Sequence, residues 1–335
     1  IKRARRDLRA TAHLAPLVGL LDGFGISRTA IKRIHKRYGS QAIELIRANP
    51  WRLAADIHGI GFKSADRVAI GLGVAPDAPQ RLEAACIQAL KDLAAERGHT
   101  IVDAELLVTW ADKYVRAGTP LLHAALERLI ASAEIETGTR VDADGAHRKG
   151  YALPRLAGAE RLIAAKVRML SSFADATPLL VTDAQIDELE KSEELTFDDS
   201  QRRAIKGSLE EHVTVLTGNP GTGKTTIVRA ILDIAEARGL SIALASPTGR
   251  AAKRLSEATG RPASTIHRWL RYHPFEGFKG PESLPELLVV DEASMLDVNL
   301  AARVFSALPP YGRLLLVGDE DQLPAIGPGN VLADL

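Results

Sequence analysis

The feature that most restricts the fold is a glycine-rich turn set between a short apolar run and a helix. Residues 213–216 read VTVL, residues 218–225 read GNPGTGKT, and TTIVRAILDIAEARG runs on from the last threonine. The turn matches G-x-x-x-x-G-K-[ST] at every defined position. Glycines there let backbone N–H groups converge on a phosphate, and the helix N-terminus adds its dipole. Gly218, Asn219, Pro220, Gly221, Thr222, Gly223, Lys224, Thr225 and Thr226 are the candidate phosphate-binding residues. Lys224 is placed to reach the β- and γ-phosphates, and Thr225 to hold Mg²⁺. Short apolar runs alternate with helical patterns from about residue 196, the signature of a parallel α/β sheet. The expected strands are 213–216, 241–246, 286–291 and 312–319.

A second acidic motif lies about 70 residues further on. The apolar run LLVV ends in Asp291-Glu292. Ligands of open α/β sheets sit at the carboxyl ends of strands, so Asp291 is placed to hold Mg²⁺. Glu292 is placed to polarise an attacking water, which is general-base work. Asp and Glu also favour the first turn of a helix. Beside the phosphate loop, the metal and base roles prevail, and the two motifs together read as a nucleoside triphosphatase, without deciding its kind.

Composition excludes several other classes. With 46% hydrophobic residues the chain has ample material for a core, and disorder is disfavoured. No apolar run approaches the roughly 18 residues of a membrane span. The basic start, IKRARRDLRA, has no apolar stretch after it and does not read as a signal peptide. Cys86 is the sole cysteine, which excludes intrachain disulfides and cysteine-cluster zinc sites and fits a reducing, cytoplasmic setting. The net charge of +1 hides an asymmetry: residues 1–80 hold 14 lysines and arginines against six acidic residues, and the remainder is acidic overall. A basic N-terminal part suits a polyanion, or a solvated surface.

That part reads as short helices joined by glycine turns. LLDGFGISRTAIKRI, with Gly23 and Gly25, and LAADIHGIGFKSADRVAI, with Gly59 and Gly61, repeat at an offset of 36 residues. Each has a helical pattern, a Gly-x-Gly turn and a second helical pattern. An amphipathic helix is expected over 80–97, with further helices at 103–116 and 120–132. EIETGTRVDADGAHRKGYALP then reads as two strands around an Asp-Gly turn, so residues 77–155 form a winged-helix-like α+β region. Residues 156–195 read as a connecting helix, a linker and a short acidic helix.

Five further stretches decide the kind of triphosphatase. FDDSQRRAI (197–205) precedes the phosphate loop; ALASPTGRAAKRL (243–255) and TIHRWL (265–270) follow it; VVDEASMLD (289–297) holds the acidic pair; VGDEDQLPAIGPGNVL (317–332) comes last. With the phosphate loop, in this order, they resemble superfamily 1 helicases of the RecD-like branch. The Gly-x-Gly repeats are similar to helix-hairpin-helix motifs, as in the RecD-like enzymes that act without other RecBCD subunits. The resemblance implies a multidomain chain. It has an all-α helix-hairpin-helix region at 1–76 and the winged-helix-like region. A RecA-like α/β domain follows at 196–335, with a small hairpin inserted at about 271–285. It implies that Gln201 bonds the adenine, that Gln322 senses the γ-phosphate, and that Thr248, Gly249, Arg250 and His267 contact single-stranded DNA. Physically, a threonine hydroxyl and a free N–H just past a strand suit a DNA phosphate, though Thr248 also suits a helix N-cap. Arg250 suits a phosphate contact or a surface charge equally, and Trp269 reads as core. Gly59, Gly61 and Lys63 are the hairpin candidates for DNA backbone contact; paired hairpins also serve as packing units. Phe275 and Phe278 are the candidates for a wedge that splits the duplex, or for aromatics tucked under a surface loop.

The resemblance further implies 5′-to-3′ movement, ATP and Mg²⁺ as cofactors, single-stranded DNA and single-strand/duplex junctions as partners, and a monomer with no membrane association. The family's second RecA-like half, with the arginine that supports γ-phosphate cleavage, has no counterpart in these residues. The chain alone is therefore expected to turn over weakly. Three competing readings are a conjugative-relaxase helicase module, a DNA-binding protein using ATP as a switch, and a small-molecule kinase. The first lacks its three-histidine site here, and the GDEDQLP stretch disfavours the last.

Overall fold

The computed structural model describes residues 14–141, 145–173, 179–219, 221–319, 322 and 325–335. The basic start, the Asp-Gly turn at 142–144 and Pro220 lie outside the described residues, as do four positions of the loop at 320–324. Two compact units divide the chain. One takes residues up to Leu93 with Ile101–Pro154; the other takes Ala94–Thr100 with Arg155–Leu335. No described helix is long and apolar enough to cross a membrane.

The first unit begins with α1 (Ala15–Leu21), α2 (Arg28–Tyr38), α3 (Ala42–Ala48), α4 (Arg52–Asp56) and α5 (Phe62–Gly71). Ser27 starts α2 by accepting a hydrogen bond from Ala30 N. Arg28 opens α2 and Phe62 opens α5, so the helical repeat runs at 34 residues. This corrects the offset of 36. The sequence aligns Gly-x-Gly with Gly-x-Gly, but two linker residues, Ile26 and Ser27, separate Gly25 from α2, whereas Gly61 itself caps α5. Gly25 thus corresponds to Gly59, and both carry positive φ.

The unit continues with α6 (Pro79–Arg97), β1 (Val102–Asp103), α7 (Ala104–Val115), α8 (Thr119–Ala131), β2 (Glu136–Val141) and β3 (His147–Ala152). Three helices followed by an antiparallel hairpin is the expected winged-helix pattern. One strand was not expected: β1 pairs with β3 and makes a sheet of order β1-β3-β2. Two residues carry too little pattern to be read from sequence. A buried ion pair ties α5 to α6. Arg81 donates to both oxygens of Asp66 at 2.9 Å, Trp51 Nε1 donates to Asp66 Oδ1 at 3.1 Å, and Arg81 Nη1 also reaches Pro76 O at 2.7 Å.

In the second unit, α9 (Pro154–Ser171) and α10 (Asp183–Ser192) precede the sheet, with α11 (Asp199–Glu210) leading into β4 (Val213–Leu216). Then come α12 (Lys224–Ala237), β5 (Ile242–Ser246), α13 (Gly249–Thr259), β6 (Ala263–Thr265) and α14 (Ile266–Trp269). A small antiparallel hairpin, β7 (Tyr272–His273) with β8 (Gly277–Phe278), interrupts the alternation. The unit closes with β9 (Leu287–Val290), α15 (Val298–Ser306), β10 (Arg313–Val317) and α16 (Val331–Asp334). The five strands are all parallel, in the order β4-β10-β9-β5-β6. Strands β9 and β10 are buried along their whole length, which is why both read as apolar runs; Arg313, the buried first residue of β10, donates from Nε to Leu209 O at 2.7 Å. Ile227, Ile231, Leu244, Val289 and Leu315 meet in the core, between the sheet and the α12 face. The edge strand β6, AST, is short and half-buried, and escaped the sequence reading.

Candidate functional site

The sheet order puts β4, β10 and β9 side by side, so the loops at their carboxyl ends converge. A cavity of about 440 Å³ opens there. It is lined by Asn219, Gly221, Gly223, Lys224 and Thr225 from the glycine turn and α12, by Asp291 and Glu292 after β9, and by Gly318, Asp319 and Gln322 after β10. Arg254, Leu255 and Ala258 of α13 complete the wall, with Val228 and Val317. The four sequence candidates for chemistry, Lys224, Asp291, Glu292 and Gln322, therefore face one space. Gly218, Thr222, Thr226 and Gln201 are not among its lining residues, and Pro220 lies outside the described ones.

Local geometry explains how each is held. Gly223 caps α12 in the left-handed region (φ 84°), where a side chain is strained and a Cβ would approach Gln201 Nε2 at 3.1 Å. Lys224 Nζ donates to Gly218 O and, at 3.1 Å, to Asn219 O, so the lysine folds back over its own loop. Gln201 sits in a capping box: Asp198 Oδ1 accepts from Gln201 N at 2.9 Å, and Gln201 Oε1 accepts from Asp198 N at 3.0 Å. Its Nε2 donates to Thr222 O at 3.3 Å, which ties α11 to the glycine turn. Arg202 anchors that helix by donating to Asp187 at 2.7 Å and Glu190 at 2.5 Å of α10.

Asp291 is fixed by its N–H, which donates to Ala245 O at 3.0 Å. Burial raises the pKa of its carboxyl; the Glu292 N–H bonded to it opposes this, the Glu292 charge adds to it, and the Lys224 charge opposes it. Glu292 itself adopts the left-handed conformation (φ 56°), uncommon for a residue with a Cβ. Gln322 Nε2 donates to Asp319 Oδ2 at 3.2 Å, and Asp319 is buried. The sequence reading missed Asp319, although it stands at the carboxyl end of a strand in the same stretch, and it missed Arg254, which only helix packing brings to the cavity.

The nucleic-acid candidates lie elsewhere. Thr248 caps α13, its hydroxyl accepting from Ala251 N at 3.2 Å, and Gly249 has open space where a Cβ would be. Arg250 is exposed. His267 is exposed and packs edge-on against Tyr272, with ring centroids 5.5 Å apart. The two wedge candidates part company. Phe275 is 90% exposed at the tip of the β7–β8 hairpin. Phe278 is half-buried against Tyr272 and His267 with the Arg303 guanidinium over its ring. In the first unit, Gly59 is exposed at a turn, Gly61 caps α5 and Lys63 is exposed. Each glycine turn is covered by an arginine of the other hairpin. Arg33 Nη1 donates to His58 O at 2.8 Å beside Gly59, and a Cβ at Gly25 would lie 3.5 Å from Arg67 Nη1.

Comparison with known proteins follows the same division. The model of the ATP-dependent RecD2 DNA helicase HHH domain matches residues 11–101, and that of an AAA domain matches residues 201–328. The first match falls on the glycine-turn helices of the first unit, and the second on the parallel sheet that carries the cavity. The ATP-dependent RecD2 DNA helicase of Deinococcus radiodurans is 34% identical over 326 residues, which is 95% of this chain and 45% of that protein. The RecBCD enzyme subunit RecD of Mycobacterium tuberculosis is 45% identical over 163 residues, 41% of this chain and 28% of the subunit. The ATP-dependent DNA helicase dda of Enterobacteria phage T4 is 35% identical over 155 residues, 41% of this chain and 35% of that protein. The chain spans less than half the length of each of these relatives.

Proposed function

We propose that this RecD-like chain is part of an ATP-dependent DNA helicase that moves 5′ to 3′ on single-stranded DNA and opens duplexes. The observation that carries the reading is the single cavity into which Lys224, Thr225, Asp291, Glu292 and Gln322 converge. Lys224 leaves the Gly218 and Asn219 carbonyls to take the β- and γ-phosphates. Glu292 orients the attacking water, and Gln322, held by Asp319, reports the γ-phosphate. Gln201 uses one N–H and one oxygen lone pair within the protein and keeps one of each for the adenine.

The donor set fits magnesium. Thr225 and Asp291 offer hard oxygen ligands in the cavity, and such an ion takes only one or two protein ligands beside phosphate oxygens. When bound, it would neutralise charge on the phosphates. Among the described residues there is no group of three or more His, Cys, Asp or Glu side chains able to hold a metal, which accords with a site completed by the nucleotide.

DNA contact is assigned to Thr248, Gly249, Arg250 and His267 in the motor unit and to Gly59, Gly61 and Lys63 in the hairpins. The chain, with any residues its gene adds to these, is assayed for ATP hydrolysis and strand separation on duplexes bearing a 5′ or a 3′ single-stranded tail. Hydrolysis stimulated by DNA, with opening of the 5′-tailed duplex alone and loss of both in Lys224→Ala, is expected. Hydrolysis indifferent to DNA with neither duplex opened would overturn the reading.

A further inference from the structure

We infer that Arg254 is a nucleotide-contacting residue that takes phosphate oxygens of the bound triphosphate from the α13 side of the cavity. The inference rests on the nucleotide reading of that cavity and gives a nucleotide role to a residue of the 243–255 stretch, which was read only for DNA contact.

Three observations carry it. Arg254 lines the same cavity as the glycine turn, together with Leu255 and Ala258 of its helix. It is exposed and makes no hydrogen bond or ion pair to any described residue, although Asp291, Glu292 and Asp319 line the same space. Its neighbours on and after α13 are engaged: Lys253 pairs with Glu257 at 3.6 Å, and Arg261 with Asp233 at 2.6 Å and Glu236 at 2.7 Å. A cation left unpaired beside three carboxylates is held ready for a ligand that brings its own negative charge.

The charge balance points the same way. Among the described residues, the lining holds three carboxylates against two cations, Lys224 and Arg254. The lysine is engaged by the Gly218 and Asn219 carbonyls. A polyphosphate entering this space needs cationic partners beyond one lysine. A guanidinium offers a planar fork of N–H donors that matches two phosphate oxygens at once. Helix α13 also aims the side chain. Arg254 is one turn beyond Arg250, on the helix that Thr248 caps, so its backbone is fixed by the same hydrogen bonds that hold the candidate DNA loop.

The test is a fluorescence titration of the 335-residue chain with an N-methylanthraniloyl derivative of ATP in the presence of Mg²⁺. Arg254→Ala is expected to weaken binding about tenfold, the loss of a charge-assisted hydrogen bond. Arg254→Lys, which keeps the charge and loses the fork, is expected to fall between. Lys253→Ala, outside the cavity, is the control for a nearby lost cation and should bind as the unaltered chain does. Thermal midpoints should be unchanged in all three, since the altered residues are exposed. Unaltered affinity in Arg254→Ala, with binding abolished by Lys224→Ala, would overturn the assignment and leave the nucleotide site standing. Failure of the unaltered chain to bind would remove the nucleotide reading and the role of Arg254 with it.

Discussion

Asp291 carries a cost that the rest of its strand does not. Its carboxyl is drawn into a mostly buried position at the end of β9, and desolvation raises its pKa. A folded pKa above the unfolded one means that the native state binds the proton more tightly. The charged form therefore penalises folding above the folded pKa, and the penalty vanishes below the unfolded pKa. Asp291→Asn should raise the thermal midpoint of the chain in chelator-treated buffer at pH 8, with the gain shrinking as pH falls towards 4, while nucleotide hydrolysis is lost. A midpoint that falls at pH 8 would contradict the desolvation account. The opposite sign is expected at Asp66, whose charge is fully matched. Removing it by Asp66→Ala leaves Arg81 buried without its partner, a loss of about 3–5 kcal/mol. Cys86 provides the readout. Burial pushes its thiol up to about 12, so it stays unreactive until the first unit opens. Its alkylation by iodoacetamide should be strongly accelerated in Asp66→Ala; alkylation as slow as in the unaltered chain would show the pair to be expendable.

At the scale of elements, what could be read in advance follows from how many faces an element buries. Strands β9 and β10 were legible within a residue or two because parallel strands covered on both faces are written as apolar runs, and β4, half-buried at the edge, was legible because it leads into the glycine turn. Edge strands β1 and β6 were not, since two or three residues leave no pattern. The glycine turn and the acidic pair were legible because backbone conformation and chemistry both restrict the residue type. Arg254 and Asp319 were not, because only packing decides which side of a helix or loop meets the cavity. The hairpin of β7 and β8 shows the same limit: two phenylalanines three residues apart look equivalent in sequence, yet one is exposed and the other packed. Their substitutions should separate accordingly. Phe275→Ala should reduce strand separation while DNA-stimulated hydrolysis persists. Phe278→Ala should lower strand separation too, and also raise proteolytic cleavage within 271–285, because it removes the ring that Tyr272 and His267 pack against. Unwinding unaffected by both would remove the wedge.

At the scale of the whole molecule, charge distribution says more than net charge. A net value of +1 predicts no attraction to a polyanion, yet the first 80 residues are strongly basic and the remainder acidic. Steering follows local potential rather than the sum, and it is screened within about 10 Å at 0.1 M salt. The second hairpin presents Lys63 and Arg67 beside its turn, both exposed. Neither shares in the buried Asp66–Arg81 pair, although Arg67 also lies over the Gly25 turn, so the salt slope and not affinity alone is the readout of phosphate contact. If each meets a backbone phosphate, binding to duplex DNA releases a counterion for each. The slope of log affinity against log salt should then fall in magnitude by about 0.9 per residue, or about 1.8 for the double alanine variant. The loss should be equal across unrelated DNA sequences, since phosphate contacts carry no base information. Anisotropy titrations of a labelled duplex between 50 and 200 mM salt measure this, a range over which counterion release changes affinity steeply. A double variant with an unchanged slope would assign the hairpins a packing role and leave DNA contact to the motor unit alone. A changed affinity with an unchanged slope would mean that the two side chains act through the fold of the hairpin and not through the phosphates.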